Sequence, residues 1–261
     1  NHLETAPAYG PAEDFLGHAL QQAEQQPEGG WVITSKLLPG STLREGKHQL
    51  LKILERLGCD SLDNLAIHGI NRPEHLDWAL HGDGKDLLDW AQGEGHAAQV
   101  GFSSHGSQAL IAAAISSGRF QFCCLHLHLL DPQRLPLAHQ ALEQGIGVLA
   151  ISPADKGGRL QAPSPTLISD CAPFSPLQLA YRFLLAQGIS TLSVGAAQAS
   201  DLELAAALQS RDSPLSLEEQ SSLQLLADHR HERVGADLCG QCQACLPCPN
   251  EVPIPELLRL R

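Results

Sequence analysis

Along the chain, short runs of apolar and β-branched residues alternate with longer stretches in which apolar positions recur every three or four residues. The first pattern marks buried strands and the second amphipathic helices. Strands are expected at 31–36 (WVITSK), 63–69 (DNLAIHG), 97–104 (AAQVGFSS), 120–129 (FQFCCLHLHL), 146–152 (IGVLAIS) and 189–196 (ISTLSVGA), and the opening NHLET reads as the tail of another. Helices are expected at 41–58, 85–95, 107–118, 134–145, 176–188, near 200–209 and at 216–230, with glycine stops at Gly58 and Gly118. This alternation predicts an α/β fold with a parallel sheet and helical crossovers. Seven strands are one short of closure, so the expected architecture is a (β/α)8 TIM barrel lacking its N-terminal strand and helix. No strand region carries GxGxxG, which argues against a doubly wound dinucleotide-binding sheet. From residue 231 the pattern breaks. The expected division is a barrel at 1–230 and a small Cys-rich C-terminal tail at 231–261, too short for a core of its own without a metal.

Composition narrows the function classes. The chain has 261 residues, of which 43% are hydrophobic, enough for one barrel-sized core. The formal charge of -12 is set against nucleic acid and anionic membrane surfaces as partners. No run of about 18 apolar residues occurs, so no membrane-spanning helix is expected, and no secretory leader is visible. Of eight cysteines, Cys59, Cys123, Cys124 and Cys171 are scattered in apolar surroundings and read as buried thiols. Cys239, Cys242, Cys245 and Cys248 are clustered and read as metal ligands. Both readings fit a reducing, cytoplasmic setting.

In a parallel barrel, chemistry gathers where the strands end at their C-terminal face. The strand exits carry Glu4, Lys36, His68, Ser103, Ser104, His128 and Ser152, and Tyr9 follows the first visible strand. Taken singly, each has an ordinary structural reading: a solvated lysine, a satisfied histidine, a turn tyrosine. Together they form a coherent acid. A tyrosine hydroxyl titrates near 10, a neighbouring ammonium lowers that value, and a carboxylate holds the ammonium charged and in place. Tyr9 is then a general acid, Lys36 its electrostatic tuner, Glu4 the anchor of Lys36, and His68 a hydrogen-bonding group for a substrate carbonyl.

These residues resemble the aldo-keto reductase family. The segment ETAPAYGPAE resembles the family's acid-T-A-x-x-Y-G-x-x-E, VITSK its lysine strand and LAIHG its histidine strand. VGFSSHG resembles the strand that holds the nicotinamide amide, GVLAISPADKGGRL the later strand with its cofactor-wrapping loop, and STLSVGAAQASDLE the last strand with its phosphate-facing turn. The likeness spans residues 1 to about 210. It implies a (β/α)8 barrel, NAD(P)H-dependent carbonyl reduction or alcohol oxidation, and a small carbonyl or alcohol substrate. The implied cofactor-binding positions are Ser103, Ser104, Ser152, Gly195 and Ser200. Three departures stand out, one of them the absent first strand and helix. Glu4 replaces the family's usual aspartate. The last turn lacks the arginine many relatives place against a 2′-phosphate, which leaves NAD and NADP both open.

The tail reads Cys239-x2-Cys242-x2-Cys245-x2-Cys248-Pro249. The bacterial ferredoxin run is one residue longer at its last step. The tail therefore resembles half of such a ferredoxin, and the chain resembles a branch of the family with a C-terminal [4Fe-4S] segment. All four cysteines as ligands, three of them completed by a barrel cysteine, a four-cysteine zinc site and a disulfide pairing are the alternatives. A cluster here would either relay electrons, with an electron-transfer partner, or staple the C-terminus. The competing reading of the whole chain is a non-catalytic barrel serving as a binding or scaffold module with a structural metal.

Overall fold

The computed structural model of the chain describes residues 1–155, 159–208, 213–235, 239 and 245–259. Its strands are β1 (His2–Glu4), β2 (Val32–Leu37), β3 (Leu62–Ile67), β4 (Ala97–Ser104), β5 (Phe122–His126), β6 (Gly147–Ile151) and β7 (Thr191–Leu192). They form one seven-stranded sheet in the order β1-β2-β3-β4-β5-β6-β7. The pairs β1·β2, β2·β3, β3·β4 and β6·β7 are parallel. The helices are α1 (Ala12–Gln22), α2 (Leu43–Leu57), α3 (Pro73–Leu80), α4 (Gly82–Gly93), α5 (Gln108–Ser116), α6 (Leu135–Glu143), α7 (Pro165–Cys171), α8 (Pro176–Ala186), α9 (Glu203–Ala207), α10 (Leu217–Val234) and α11 (Ile254–Arg259). Sequential parallel strands joined by helices make this an incomplete (β/α)8 barrel, the α/β fold class that the hydrophobic alternation predicts.

Elements differ from the sequence pattern where pairing partners run out. The run at 120–129 is strand only over β5, because the chain then turns into an isolated antiparallel bridge between His128 and Asp131. The run at 189–196 keeps two residues as β7, and Ser193 makes a further backbone bond to Ala150 at 2.9 Å. Helices α1, α3 and α7 are not among the helices expected from the sequence pattern. In α3 and α7 the start is set by proline in the first turn, where no N–H is needed.

The chain divides into two compact units, residues 1–124 with 143–147 and residues 125–142 with 148–261. In the first unit, α2 presents Leu50, Ile53 and Leu57 to a core that also contains Leu65, Ile67, Val100, Phe102, Leu87 and Ile111, all buried. Helix α2 opens with a capping box in which Thr42 and Glu45 satisfy each other's backbone N–H groups. It stops at Gly58, whose φ of 66° is left-handed and favours glycine. Gly17 lets α1 rest on α2: a Cβ there would lie 2.0 Å from the Arg56 carbonyl oxygen.

In the second unit Leu129, Ala154, Leu160, Cys171, Leu179, Ala180 and Leu226 form the core. Helices α7 and α10 are tied by Asp170, which accepts from His229 Nδ1 at 2.7 Å and pairs with Arg233. Helices α8 and α10 are tied by the Arg182 Nε hydrogen bond to Glu219 Oε1 at 2.7 Å. Among the described residues no helix is long and apolar enough to cross a membrane.

Candidate active site

Strand alternation builds the site in the first unit. Residues two apart on a strand share a face of the sheet. On β2, Ser35 and Thr34 therefore point oppositely. The Ser35 hydroxyl donates to Glu13 Oε1 of α1 at 2.6 Å. Thr34 Oγ1 lies 2.7 Å from His2 Nε2 and accepts from Asn64 Nδ2 at 3.0 Å. One step further along the face of Thr34 comes Lys36, beside Glu4 of β1. The 3-10 turn Pro7–Tyr9 then folds Tyr9 back over these two strand ends.

The result is a compact polar triangle. The Lys36 ammonium is 1% exposed and donates to the Tyr9 hydroxyl at 2.8 Å, to the Thr5 carbonyl at 3.4 Å and to Glu4 Oε1. The Tyr9 hydroxyl in turn donates to Glu4 Oε1 at 3.4 Å. His68, just beyond β3, meets the Tyr9 ring edge-on with centroids 5.6 Å apart. Tyr9 stays 47% exposed, while the lysine beneath it is buried.

The electrostatics follow from this packing. Burial lowers the affinity of Lys36 for its proton, but the Glu4 charge and the hydrogen bonds to Glu4 and Tyr9 outweigh it, so its pKa is raised and the ammonium stays charged. Tyr9 also ends above its ordinary value. Burial raises it most and the Glu4 charge adds to that, against the lowering by the Lys36 hydrogen bond. The sequence argument that a neighbouring ammonium lowers the tyrosine is right for that one interaction. It misses the desolvation and the carboxylate that override it. His68 is lowered, first by burial and then by the Lys36 charge, and is neutral near pH 7.

A second set of groups, given no role in the sequence reading, supports the triangle. Glu13 is fully buried and accepts from Arg56 Nε at 2.8 Å and Arg56 Nη2 at 2.5 Å as well as from Ser35. It locks the strand position next to Lys36. Glu13 stands in the same ETAPAYGPAE segment, and an acid inside an otherwise packed helix start is the signal that marks it.

Ser103 and Ser104 end β4 with both side chains buried. Ser103 Oγ accepts from the Gly69 N–H at 3.0 Å; Ser104 Oγ donates to the Ile70 carbonyl at 2.6 Å and accepts from Gly106 N–H at 3.0 Å. Both hydroxyls thus brace the loop after β3 that carries His68. In the second unit, Ser152 follows β6 with a left-handed φ of 56°. Gly195 has nothing among the described residues within 4 Å of an added Cβ, and Ser200 lies in an exposed 3-10 turn, Ala199–Leu202. In that turn Asp201 Oδ2 accepts from the Ala197 and Gln198 N–H groups at 2.9 and 3.2 Å.

The cysteine tail requires a correction. Cys239, Cys242, Cys245 and Cys248 were expected to hold a [4Fe-4S] cluster or, alternatively, zinc. Among the described residues, the side chains that converge as metal-ligating groups are instead His126, His128 and Asp131, and Cys239, Cys245 and Cys248 form no such group. Cys242 lies outside the described residues. Cys239 is half-buried against a cavity of about 1060 Å³ in the second unit, whereas Cys245 is exposed to solvent. Three-residue spacing alone does not aim thiols in such different surroundings at one centre. The electron-relay role and its partner fall with the cluster.

The sequence pattern of the Aldo/keto reductase family matches residues 1–164. No curated protein matches the chain. Among solved structures, a holo aldo-keto reductase from Bacillus halodurans is 20% identical with a TM-score of 0.70, covering 87% of this chain and 82% of its own. An aldo-keto reductase from a Medee basin deep-sea metagenome library is 18% identical with a TM-score of 0.66, covering 86% and 80%. A Bombyx mori aldo-keto reductase in complex with NADP is 21% identical with a TM-score of 0.61, covering 86% and 78%. At these identities the structural likeness speaks to the fold.

Proposed function

Since the chain belongs to the aldo/keto reductase family, a family of NAD(P)-dependent oxidoreductases, we propose that it interconverts a small carbonyl compound and its alcohol with a nicotinamide cofactor. The observation that carries this reading is the 2.8 Å hydrogen bond from a buried, charged Lys36 to the hydroxyl of the half-exposed Tyr9.

The donor set fits a carbonyl oxygen: a phenol, a neutral imidazole and an ammonium behind them. Reduced nicotinamide, when bound, supplies the hydride. Tyr9 gives its hydroxyl proton to the carbonyl oxygen as that oxygen gains charge. Lys36 stabilises the tyrosinate left behind, because its ammonium already donates to that oxygen. Glu4 keeps Lys36 charged and holds the tyrosine proton in place until a substrate oxygen displaces the longer 3.4 Å contact. Neutral His68 orients the carbonyl by hydrogen bonding. For alcohol oxidation the proton runs the other way.

Ser103, Ser152, Gly195 and Ser200 are the positions we assign to cofactor contact. Ser103 retains a hydroxyl proton to donate, and Gly195 leaves its backbone open to close approach. We assign to Ser104, whose hydroxyl both donates and accepts within the protein, the bracing of that wall. Seven cysteines among the described residues are thiols and not disulfides, which supports a reducing, cytoplasmic setting.

The test is consumption of NADH or NADPH by the purified chain with a panel of small aldehydes and ketones, and the reverse reaction with alcohols. Turnover that disappears in Tyr9→Phe supports the proposal. Absence of turnover in both directions with both cofactors overturns it.

A further inference from the structure

We propose that His126, His128, Asp131 and Asp155 form a binding site for one first-row divalent metal ion of the Zn2+ type, tying the segment after β5 to the loop after β6. The ligating atoms of His126, His128 and Asp131 all lie within 4.8 Å of one another. An equilateral triangle with that edge has its centre about 2.8 Å from each corner, and small side-chain rotations close this to the roughly 2.0–2.2 Å of a metal bond. His128 is 1% exposed, and neither of its ring nitrogens has a hydrogen-bond partner among the described residues. A buried imidazole in that state costs free energy unless something engages it.

Asp155 completes the set. Its Oδ1 is 3.4 Å from His128 Nε2, too poorly aligned for a hydrogen bond but at about the separation of two ligands across a tetrahedral edge. Its Oδ2 accepts from Arg159 Nε at 2.6 Å, which fixes the carboxylate in the way outer-shell partners orient metal ligands. Two imidazoles and two carboxylates match a borderline dication in both ligand type and charge. Ions have a way in, because His128, Asp131 and Arg159 line the cavity of about 1060 Å³.

The experiment uses the full chain, stripped with chelator and titrated with Co2+ and then Zn2+. We expect one Co2+ per chain, visible d–d bands of nitrogen and oxygen ligation, displacement by Zn2+, and a thermal midpoint raised by Zn2+. His128→Gln and Asp131→Asn should each weaken binding by more than about tenfold, the lower end of the loss from merely outer-shell changes. Both variants should also lose the thermal shift. If His128→Gln misfolds by circular dichroism, the half-buried Asp131→Asn decides. Failure to bind Co2+, binding unchanged in Asp131→Asn, or a near-ultraviolet thiolate charge-transfer band would each overturn the site. The readout is metal binding alone, so it stands or falls separately from the hydride-transfer proposal.

Discussion

The Lys36 ammonium and the Tyr9 hydroxyl are joined by a 2.8 Å hydrogen bond in which the lysine is buried and the tyrosine faces outward. The same ammonium sits 4.5 Å from the Tyr9 ring centroid. The tyrosine's orientation is therefore fixed by the lysine through both its hydroxyl and its ring.

Tyr9→Phe keeps the ring, its edge contact with His68 and the cation–π contact, and removes the hydroxyl, with its acidic proton and the hydrogen bond it accepts from Lys36. Carbonyl reduction should fall by about 10²–10⁴-fold, the usual contribution of a positioned general acid. Nicotinamide binding, read by quenching of protein fluorescence, should change little. Equal loss of binding and turnover would make Tyr9 a structural residue.

The pH dependence has a defined sign. In the proposed reaction, reduction needs protonated Tyr9, whose pKa is raised by burial and by Glu4. The reduction rate should hold through neutral pH and decline only above about pH 10. Glu4→Gln removes a charge that raises both Tyr9 and Lys36, so the basic limb should move to lower pH. A basic limb that stays in place in Glu4→Gln would show that Glu4 does not tune the acid.

The pattern of apolar runs was enough to read the strand order and the residues at the strand exits, because alternation and exit position are local properties of a parallel sheet. Glu4, Tyr9, Lys36 and His68 were legible for that reason. Glu13 was visible as the last acid of ETAPAYGPAE, but its role was not, since its partners Ser35 and Arg56 lie 22 and 43 residues away and nothing local announces the pairing. His126 and His128 stand two apart in FQFCCLHLHL, so alternation already puts them on one side, but Asp131 joins them only through the turn after β5. The cysteine run misled for the opposite reason. Regular spacing was taken for convergence, while the surroundings of Cys239 and Cys245 differ.

Arg182 and Glu219 are both buried, and Arg182 Nη2 also donates to the Ser213 and Pro214 carbonyls at 3.2 and 3.1 Å. Glu219 is at the same time the reciprocal partner of the Ser216 cap that starts α10. Arg182→Met leaves that carboxylate buried without its cation and should cost about 3–5 kcal/mol in denaturant unfolding. The Arg182 hydrogen bond, ahead of burial's opposing effect, holds the Glu219 pKa below its ordinary value. Its contribution is therefore present above the unfolded pKa and is lost as pH falls through the folded one. The difference between wild type and Arg182→Met should shrink under acid; a constant difference would remove the ion pair from the explanation.

Cofactor choice is expected to turn on Asp201. Its carboxylate caps the N–H groups of Ala197 and Gln198, and these bonds, the Ala197 one first, hold its pKa below the ordinary value. No lysine or arginine occurs between Thr191 and Asp201. If this turn, which carries the proposed contact residue Ser200, meets the adenosine end of the cofactor, it presents a fixed negative charge to a 2′-phosphate dianion, with the local backbone donors already engaged. NADH should therefore bind more tightly than NADPH. Asp201→Asn keeps an oxygen for the two N–H groups but removes the charge, so NADPH should gain up to about fivefold in affinity, the range of an exposed pair interaction, with NADH unchanged. The gain should fade at high salt, because an exposed charge is screened. Parallel titrations of both cofactors at two salt concentrations measure this. An equal gain for NADH and NADPH would mean that the substitution acts on the turn's shape and not on its charge.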